Sequence, residues 1–200
     1  MKRETAADRA KLEIIRLCHS ALDSRTLRLE LLQRLKRVIP FECSFFSTTD
    51  PATLLSTSSL LDFSIPTWAR VRLIDNEYLQ DDVNKFLDLL KNDVPVGVLS
   101  DLTQGELRRS QRYRDILTPL GLGDEMRGTF VDNAACWGTL CLHRGTAAAW
   151  YTPAEAAFLA SLTPHIAEGL RKALLLEHAP GGTTPSWWHK ARSGQPPCPP

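Results

Sequence analysis

Six aromatic and acidic residues are the candidates for a ligand-binding site in this sequence. Small-molecule sites are mostly apolar with a few placed polar groups, and tryptophan and tyrosine supply both a flat apolar face and a hydrogen-bonding group. The residues that we expect to line such a cavity are Phe45, Trp68, Tyr78, Asp82, Tyr113 and Trp137. The alternative is that the aromatic side chains are core residues and that Asp81 and Asp82 cap a helix that begins near Asp82.

Histidine and cysteine carry the other reactive groups. His143 ends a predicted strand and His165 lies in a predicted helix. No other residue gives a metal-binding spacing, so we expect surface or partly satisfied histidines rather than ligands of a metal or haem. Cys136 and Cys141 are five positions apart, so in a regular strand they face opposite sides. We therefore interpret them as small core residues, and we predict no metal and no cofactor.

Sequence signatures of catalysis are missing. The chain contains no G-x-S-x-G, P-loop or H-E-x-x-H motif. Its serine, cysteine and histidine residues show no spacing that signals a nucleophile with its base. We therefore expect no catalytic residues and no enzyme activity.

The composition is that of an ordinary globular domain. Hydrophobic residues make up 43% and charged residues 24% of the 200 positions, and the net charge is +1. This balance gives no overall field that favours nucleic acid or a membrane surface. No apolar run approaches the roughly 18 residues of a membrane-spanning helix, and the charged start does not resemble a secretory signal. Five cysteines without C-x-x-C spacing argue against a disulfide framework, so we expect a cytoplasmic protein.

The clearest structural signal is a long amphipathic helix over residues 152–176. Thr152 and Glu155 form a T-x-x-E capping box, and Pro153 suits the first helical position. An apolar stripe follows, made of Phe158, Leu159, Leu162, Ile166, Leu170, Ala173, Leu174 and Leu176. Pro164 removes one backbone hydrogen bond and predicts a bend. We expect this bent helix to lie across a sheet.

The remaining periodicities predict an α+β fold. Helical spacing covers residues 6–22, 26–38, 65–78 and 81–90, and strand patterns cover residues 41–48, 53–61, 96–99, 125–131 and 135–143. Strand pairs joined by short turns indicate an antiparallel sheet with the terminal helices on one face. The apolar stripes of the helices at residues 6–22 and 152–176 exceed what one sheet face needs. We therefore predict a homodimer that forms through these terminal helices.

Five segments together resemble a known family. They are FECSFFSTTD (41–50), NEYLQDDVNKF (76–86), GLGD (121–124), ACWGTLCLHR (135–144) and YTPAEAAFLASLTPHIAE (151–168). Their order and spacing resemble the GAF-type sensor half of bacterial LuxR-type transcriptional regulators, over roughly residues 5–177. The Tyr78-x-x-Asp81-Asp82 segment is similar to the tyrosine–aspartate region of autoinducer-binding LuxR domains, but Val83 follows where that region continues with Asp-Pro.

This resemblance implies a GAF/PAS-like antiparallel sheet flanked by N- and C-terminal helices. It also implies a non-enzymatic domain that senses a signal by binding a small molecule or a partner and controls transcription through a helix-turn-helix domain. The alternative is a structural or dimerisation module whose pocket is filled by its own side chains.

Residues 178–200 depart from the family pattern. They hold proline, glycine and tryptophan where a recognition helix would be required. We expect a disordered Pro/Gly-rich tail and no DNA binding by this chain alone. A truncated or frame-shifted regulator and a stand-alone sensor both fit this pattern.

Overall fold

The structure is a computed structural model that describes residues 5–177. The predicted tail at residues 178–200 lies outside the described residues. The secondary structure begins and ends with helices, and all strands lie between them. Within residues 5–177, no helix combines the length and the apolar character that crossing a bilayer requires.

A five-stranded antiparallel sheet with the order β2-β1-β5-β4-β3 forms the centre of the fold. The strands are β1 (Cys43–Thr49), β2 (Ser56–Leu61), β3 (Val96–Val98), β4 (Leu122–Asp132) and β5 (Ala135–Gly145). Every pairing in the sheet is antiparallel. The predicted α+β class, an antiparallel sheet flanked by N- and C-terminal helices, is confirmed.

Seven α-helices surround the sheet in the described part of the chain. They are α1 (Ala6–Cys18), α2 (Ser24–Lys36), α3 (Thr67–Tyr78), α4 (Phe86–Leu89), α5 (Leu99–Leu102), α6 (Pro153–Ala160) and α7 (Thr163–Glu177). Short 3₁₀ and π turns at Leu107–Arg109, Tyr113–Leu117 and Thr118–Leu120 lead into β4. Most predicted elements therefore exist, with ends that move by a few residues.

The main core lies between one sheet face and the helices α1, α2, α6 and α7. Alternation along the strands sends every second side chain to this face. The buried strand residues Phe46, Met126, Phe130, Leu140 and Leu142 pack there with helix residues that include Ile14, Leu31, Leu35, Leu159, Ile166 and Leu170. The opposite sheet face is thereby left for α3, α4 and the turns before β4.

The prediction of one bent helix over residues 152–176 is wrong, because the chain forms α6 and α7 instead. The capping box at Thr152 and Glu155 is confirmed. Pro164 has no N–H to give to the carbonyl of Ala160, and the Thr163 hydroxyl donates to that carbonyl at 2.9 Å. The proline therefore stands at the start of a second helix, where its missing donor costs least.

The predicted helix over residues 81–90 is also wrong, since only Phe86–Leu89 is helical. The Asp82 carboxylate accepts hydrogen bonds from the backbone N–H groups of Val83 and Arg112, at 2.8 and 2.7 Å. Asn84 adopts the left-handed conformation with φ 59°. These hydrogen bonds hold residues 82–84 in a loop, so α4 begins only at Phe86.

Candidate functional site

A cavity of about 360 Å³ lies against the sheet face that the terminal helices leave uncovered. Its apolar wall comprises Phe45, Leu61, Phe63, Ile65, Leu73, Ile74, Tyr78, Phe86, Leu87, Leu90, Leu117, Leu120 and Leu122. Ile74, Tyr78 and Leu87 are exposed by 59%, 43% and 38%, so they mark its mouth. The volume falls at the lower end of the roughly 300–1,000 Å³ that small-molecule pockets occupy.

The strand register aligns the residues of this sheet face in three rows across β1, β5 and β4. The rows are Cys43–His143–Glu125, Phe45–Cys141–Arg127 and Ser47–Thr139–Thr129. Residues two apart on one strand share a face, so the three strands present these groups together. The floor of the cavity is consequently polar, although its walls are apolar.

A buried ion network anchors this floor. Nη2 of Arg112 lies 2.7 Å from Oε2 of Glu125, and all three charged side chains of the Arg112–Glu125–Arg127 group are at most 5% exposed. Nε of Arg127 lies 3.0 Å from Oε1 of Glu125; the pair is an ion pair, but its angles do not make a hydrogen bond. The two guanidinium groups share the single Glu125 carboxylate, and Asp82, 3.9 Å from Arg112, and Glu77, 2.7 Å from Arg127, supply further negative charge.

The same network ties the cavity roof to its floor. Nη1 of Arg127 on β4 donates to Oε2 of Glu77 on α3 at 2.7 Å. The other Glu77 oxygen accepts from the backbone N–H of Phe86 at the start of α4, at 3.0 Å. The Arg127 guanidinium also lies 4.6 Å from the ring centroid of Phe86. Helices α3 and α4 therefore share one electrostatic anchor on the sheet.

Burial and charge set the protonation of the floor residues. Burial raises the pKa of Glu125, but the guanidinium groups of Arg112 and Arg127 outweigh it and bring that pKa down to about 2. Burial, with Arg127 and Arg112 beside the ring, lowers the pKa of His143 to about 4 although Glu125 opposes this shift. Burial raises the pKa of the Cys141 thiol to about 12. At neutral pH the floor therefore holds an ionised carboxylate, a neutral imidazole and a neutral thiol.

Glu125, Cys141 and His143 are also residue types that bind metals, and their donor atoms lie within 4.8 Å of one another. The carboxylate that a metal ion would need already contacts two guanidinium groups. A divalent cation at this point would meet their positive charge at close range. We therefore assign these three side chains to the cavity floor.

Two of the six sequence-predicted site residues, Phe45 and Tyr78, line the cavity. Phe45 belongs to the sheet floor and Tyr78 stands at the mouth. That they contact a ligand remains a prediction. Among the described residues that line the cavity, Trp68, Asp82, Tyr113 and Trp137 do not occur.

Three of those four residues have other local roles. Trp68 is 42% exposed on α3, with the Arg72 guanidinium 5.6 Å from its ring centroid. Asp82 is a loop-closing acceptor rather than a helix cap, and it also accepts from Asn76 at 2.9 Å. Tyr113 packs against a small buried cluster that includes Leu99, Leu107 and Leu117.

Trp137 turns away from the cavity because of a β-bulge. The register shifts so that Val131 pairs with Cys136 while Phe130 pairs with Gly138, which leaves Trp137 as the extra residue. Trp137 consequently packs towards the core under the terminal helices, and its Nε1 donates to the carbonyl of Asp132 at 3.1 Å. The prediction that Cys136 and Cys141 face opposite sides is wrong for the same reason, since both line the cavity.

Sequence reasoning missed the charged floor. Glu125 and Arg127 were not candidates, and His143 was expected at the surface or partly satisfied, whereas it is 6% exposed. A signal was available in the alternation of Glu125 with Arg127 around Met126, and of Cys141 with His143 around Leu142. It indicates a second buried sheet face with polar chemistry.

No family model matches the chain, and no curated protein sequence matches it. Solved structures do match. The VqsR LBD domain from Pseudomonas aeruginosa is 19% identical with a TM-score of 0.51, covering 86% of this chain and 98% of that chain. The phycoerythrobilin-bound GAF domain of a cyanobacterial phytochrome is 11% identical with a TM-score of 0.53, covering 88% and 100%.

A third structure agrees with these two. The GAF domain of an Acinetobacter phosphoenolpyruvate-protein phosphotransferase is 9% identical with a TM-score of 0.53, covering 88% of this chain and 96% of that chain. Such identities establish the fold alone. The chain therefore has the fold of a GAF domain.

Proposed function

We propose that this chain is a non-enzymatic signal-sensing domain that binds a small molecule in the sheet-face cavity. The observation that carries the proposal is the cavity itself: the surrounding side chains leave about 360 Å³ between the sheet and α3. The competing function, a structural module with a self-filled pocket, requires those side chains to close that space. The volume therefore favours the sensor.

The chemistry of the floor supports a binding role rather than a catalytic one. The Cys141 thiol, with a pKa of about 12, is protonated at neutral pH, and the thiolate is the nucleophilic form. Nδ1 of His143 has no hydrogen-bond partner within residues 5–177, and Nε2 lies 4.0 Å from the Glu125 carboxylate, so the described contacts of His143 pair it with no serine, threonine or cysteine as a nucleophile. We propose on these grounds that the domain is not an enzyme.

Strand β5 offers a route from the cavity to the terminal helices. Cys141 and His143 face the cavity. Leu140 and Leu142, which alternate with them along β5, pack in the core under the terminal helices. Side chains of one strand thus contact both layers. Ligand binding would shift the balance between two arrangements of the terminal helices by favouring one of them.

The same helices form the homodimer surface in this proposal. Leu12 on α1 and Leu175 and Leu176 on α7 are exposed by 45%, 52% and 60%. A second copy of the chain would remove these side chains from water. Light scattering is expected to give a dimer for the wild type and a monomer for Leu176→Glu, and a strictly monomeric wild type at high concentration would contradict the arrangement.

We place the domain in a cytoplasmic bacterial transcriptional regulator of the LuxR type, whose helix-turn-helix domain would act on DNA. The support is the order and spacing of the family-like segments at residues 41–50, 76–86, 121–124, 135–144 and 151–168. A reporter assay with residues 5–177 fused to a helix-turn-helix domain tests the placement. Ligand-independent reporter output would argue against it.

The sensor proposal is tested with the neutral fluorescent probe N-phenyl-1-naphthylamine. The wild type is expected to bind it, and Ile74→Trp at the cavity mouth is expected to weaken binding strongly. Val71→Trp is the matched control, because Val71 lies on the same helix, is 54% exposed and does not line the cavity. A wild type that fails to bind the probe, or equal affinities for all three proteins, would count against a ligand-binding cavity.

A further inference from the structure

Helices α1 and α7 are in close contact at the point where α1 ends. Gly169 on α7 approaches α1 so closely that a Cβ at this position would lie 2.8 Å from the carbonyl oxygen of Cys18. The next residue after Cys18 is His19, which is the C-cap of α1. On α7, Glu168 directly precedes Gly169, and His165 lies about one helical turn before it. The helix contact therefore brings two histidines and a glutamate, all residue types that bind metals, to one place.

The imidazole of His19 lies beside both of the α7 side chains. Its Nδ1 is 3.8 Å from Oε2 of Glu168, and its ring centroid is 5.8 Å from the ring centroid of His165. Two imidazoles bound to one tetrahedral metal ion have ring centroids about 5 Å apart, because each Zn–N bond is about 2 Å long. The observed centroid distance exceeds this value by less than about 1 Å. The two rings are therefore close enough to share an ion.

These three side chains reach solvent and can change rotamer. The side chains of His19 and Glu168 are 41% and 35% exposed, and His165 is half-buried. Within residues 5–177, three donor atoms that all lie within 4.8 Å of one another occur only at the cavity floor. The rings of His19 and His165 meet edge to face at 79°, so one ring has to turn before both present a nitrogen to the same ion. Rotamer changes of this kind are fast for exposed side chains.

Glu168 supplies the negative charge of this cluster. Nζ of Lys172 lies 2.5 Å from Oε1 of Glu168, and its hydrogen bond lowers the pKa of the Glu168 carboxyl below the ordinary value. The carboxylate is therefore ionised at neutral pH, and its other oxygen, Oε2, is the one near His19. The carboxylate of Glu125 at the cavity floor differs, because two guanidinium groups already contact its two oxygens. Glu168 thus keeps one oxygen for a cation.

We propose that His19, His165 and Glu168 bind one divalent metal ion of the Zn²⁺ class, with solvent in the remaining position. Two imidazoles and one carboxylate are a ligand set that zinc accepts in a tetrahedral site with one open position. The ion joins the end of α1 to α7 and holds these two helices in one arrangement. Residue spacing along the chain does not reveal the site, because His19 and His165 meet through the packing of α1 on α7. This inference goes beyond the sensor function and does not depend on a ligand in the cavity.

Calorimetric titration of the full chain with ZnCl₂ tests the inference. The wild type is expected to bind Zn²⁺, and His19→Gln and His165→Gln are each expected to weaken that binding by at least about tenfold, since each removes a ligand. The control combines His178→Gln with His189→Gln, two histidines outside the described residues, and is expected to keep the wild-type affinity. A wild type that binds no Zn²⁺, unchanged affinity in His19→Gln and His165→Gln, or binding lost in the control would each overturn the inference.

Nuclear magnetic resonance of the wild type covers the case in which a histidine variant does not fold. Zn²⁺ is expected to shift the imidazole ¹⁵N resonances of His19 and His165 and to leave those of the buried His143 in place. Shifts at His143 alone would assign the ion to the cavity floor and overturn the site. Zn²⁺ is also expected to slow hydrogen exchange of the α1 amides, because the ion ties α1 to α7. Unchanged exchange in α1 would overturn the bridging role.

Discussion

Mild acid is expected to destabilise this domain through His143. The pKa of that imidazole falls from its ordinary value of 6.5 to about 4 on folding, so the unfolded chain binds the proton more tightly than the folded chain does. The resulting stability is fully present above 6.5 and is lost as the pH falls through 4. The difference between these pKa values, at 1.36 kcal/mol per unit, corresponds to a loss of about 3 kcal/mol.

The pH range of this loss differs from the pH range in which Glu125 loses its contribution to stability. The pKa of Glu125 falls from 4.5 to about 2 on folding, so its contribution is present above 4.5 and is lost only in stronger acid. Between neutral pH and about 4.5, therefore, the titration of His143 is the buried proton-binding event at the cavity floor. A mutation at His143 should act in that interval and leave the stronger-acid effect in place.

Urea unfolding at a series of pH values measures the loss. The wild type and the control His19→Gln, which changes an exposed histidine at the end of α1, are expected to lose about 3 kcal/mol more than His143→Phe between neutral pH and pH 4. Phenylalanine keeps a ring of similar shape beside Phe63 and removes the titrating group. Identical pH dependence of the wild type and His143→Phe would refute the reasoning.

Three further substitutions test the packing that holds the site. Glu125→Gln leaves Arg112 and Arg127 without their shared carboxylate and is expected to lower the free energy of unfolding in urea by about 3–5 kcal/mol. The exposed control Glu106→Gln should lower it by less than about 1 kcal/mol. Equal losses for the two variants would contradict a buried network. Gly169→Ala would place a Cβ 2.8 Å from the carbonyl oxygen of Cys18, so a loss of about 1–3 kcal/mol is expected. Gly128→Ala, whose nearest neighbour would lie 3.5 Å away, is its control, and a stabilised Gly169→Ala would disprove the close helix contact. Thr163→Val removes the donor to the Ala160 carbonyl and should cost about 1 kcal/mol by thermal unfolding; no change would show that this carbonyl needs no protein donor.

The sequence predicted the parts of the fold that depend on local signals. The capping box at Thr152 and Glu155 and the alternation in β1 and β5 are short-range patterns, and each corresponds to a real element. Pro164 by itself predicts a bend, whereas the structure has a full break between α6 and α7. Its neighbour Thr163 supplies a side-chain donor that makes a full interruption inexpensive.

The candidate site was harder to predict, because it depends on contacts between distant segments. Arg112 contacts Asn76, Asp82 and Glu125, which lie 36, 30 and 13 positions away in the sequence. The bulge that reverses Trp137 is set by the pairing of β4 with β5, which the sequence of β5 alone does not specify. The polar residues of the floor are brought together only by the pairing of β1, β5 and β4.

The most direct test of the account is the location of a bound probe. Crystals grown with a brominated N-phenyl-1-naphthylamine would give an anomalous signal from the bromine. We expect the bromine inside the cavity, between the sheet and the mouth at Ile74, Tyr78 and Leu87. Bromine found only outside the cavity, for example against the exposed Leu175 and Leu176 of α7, would contradict the claim that the sheet-face cavity binds a ligand.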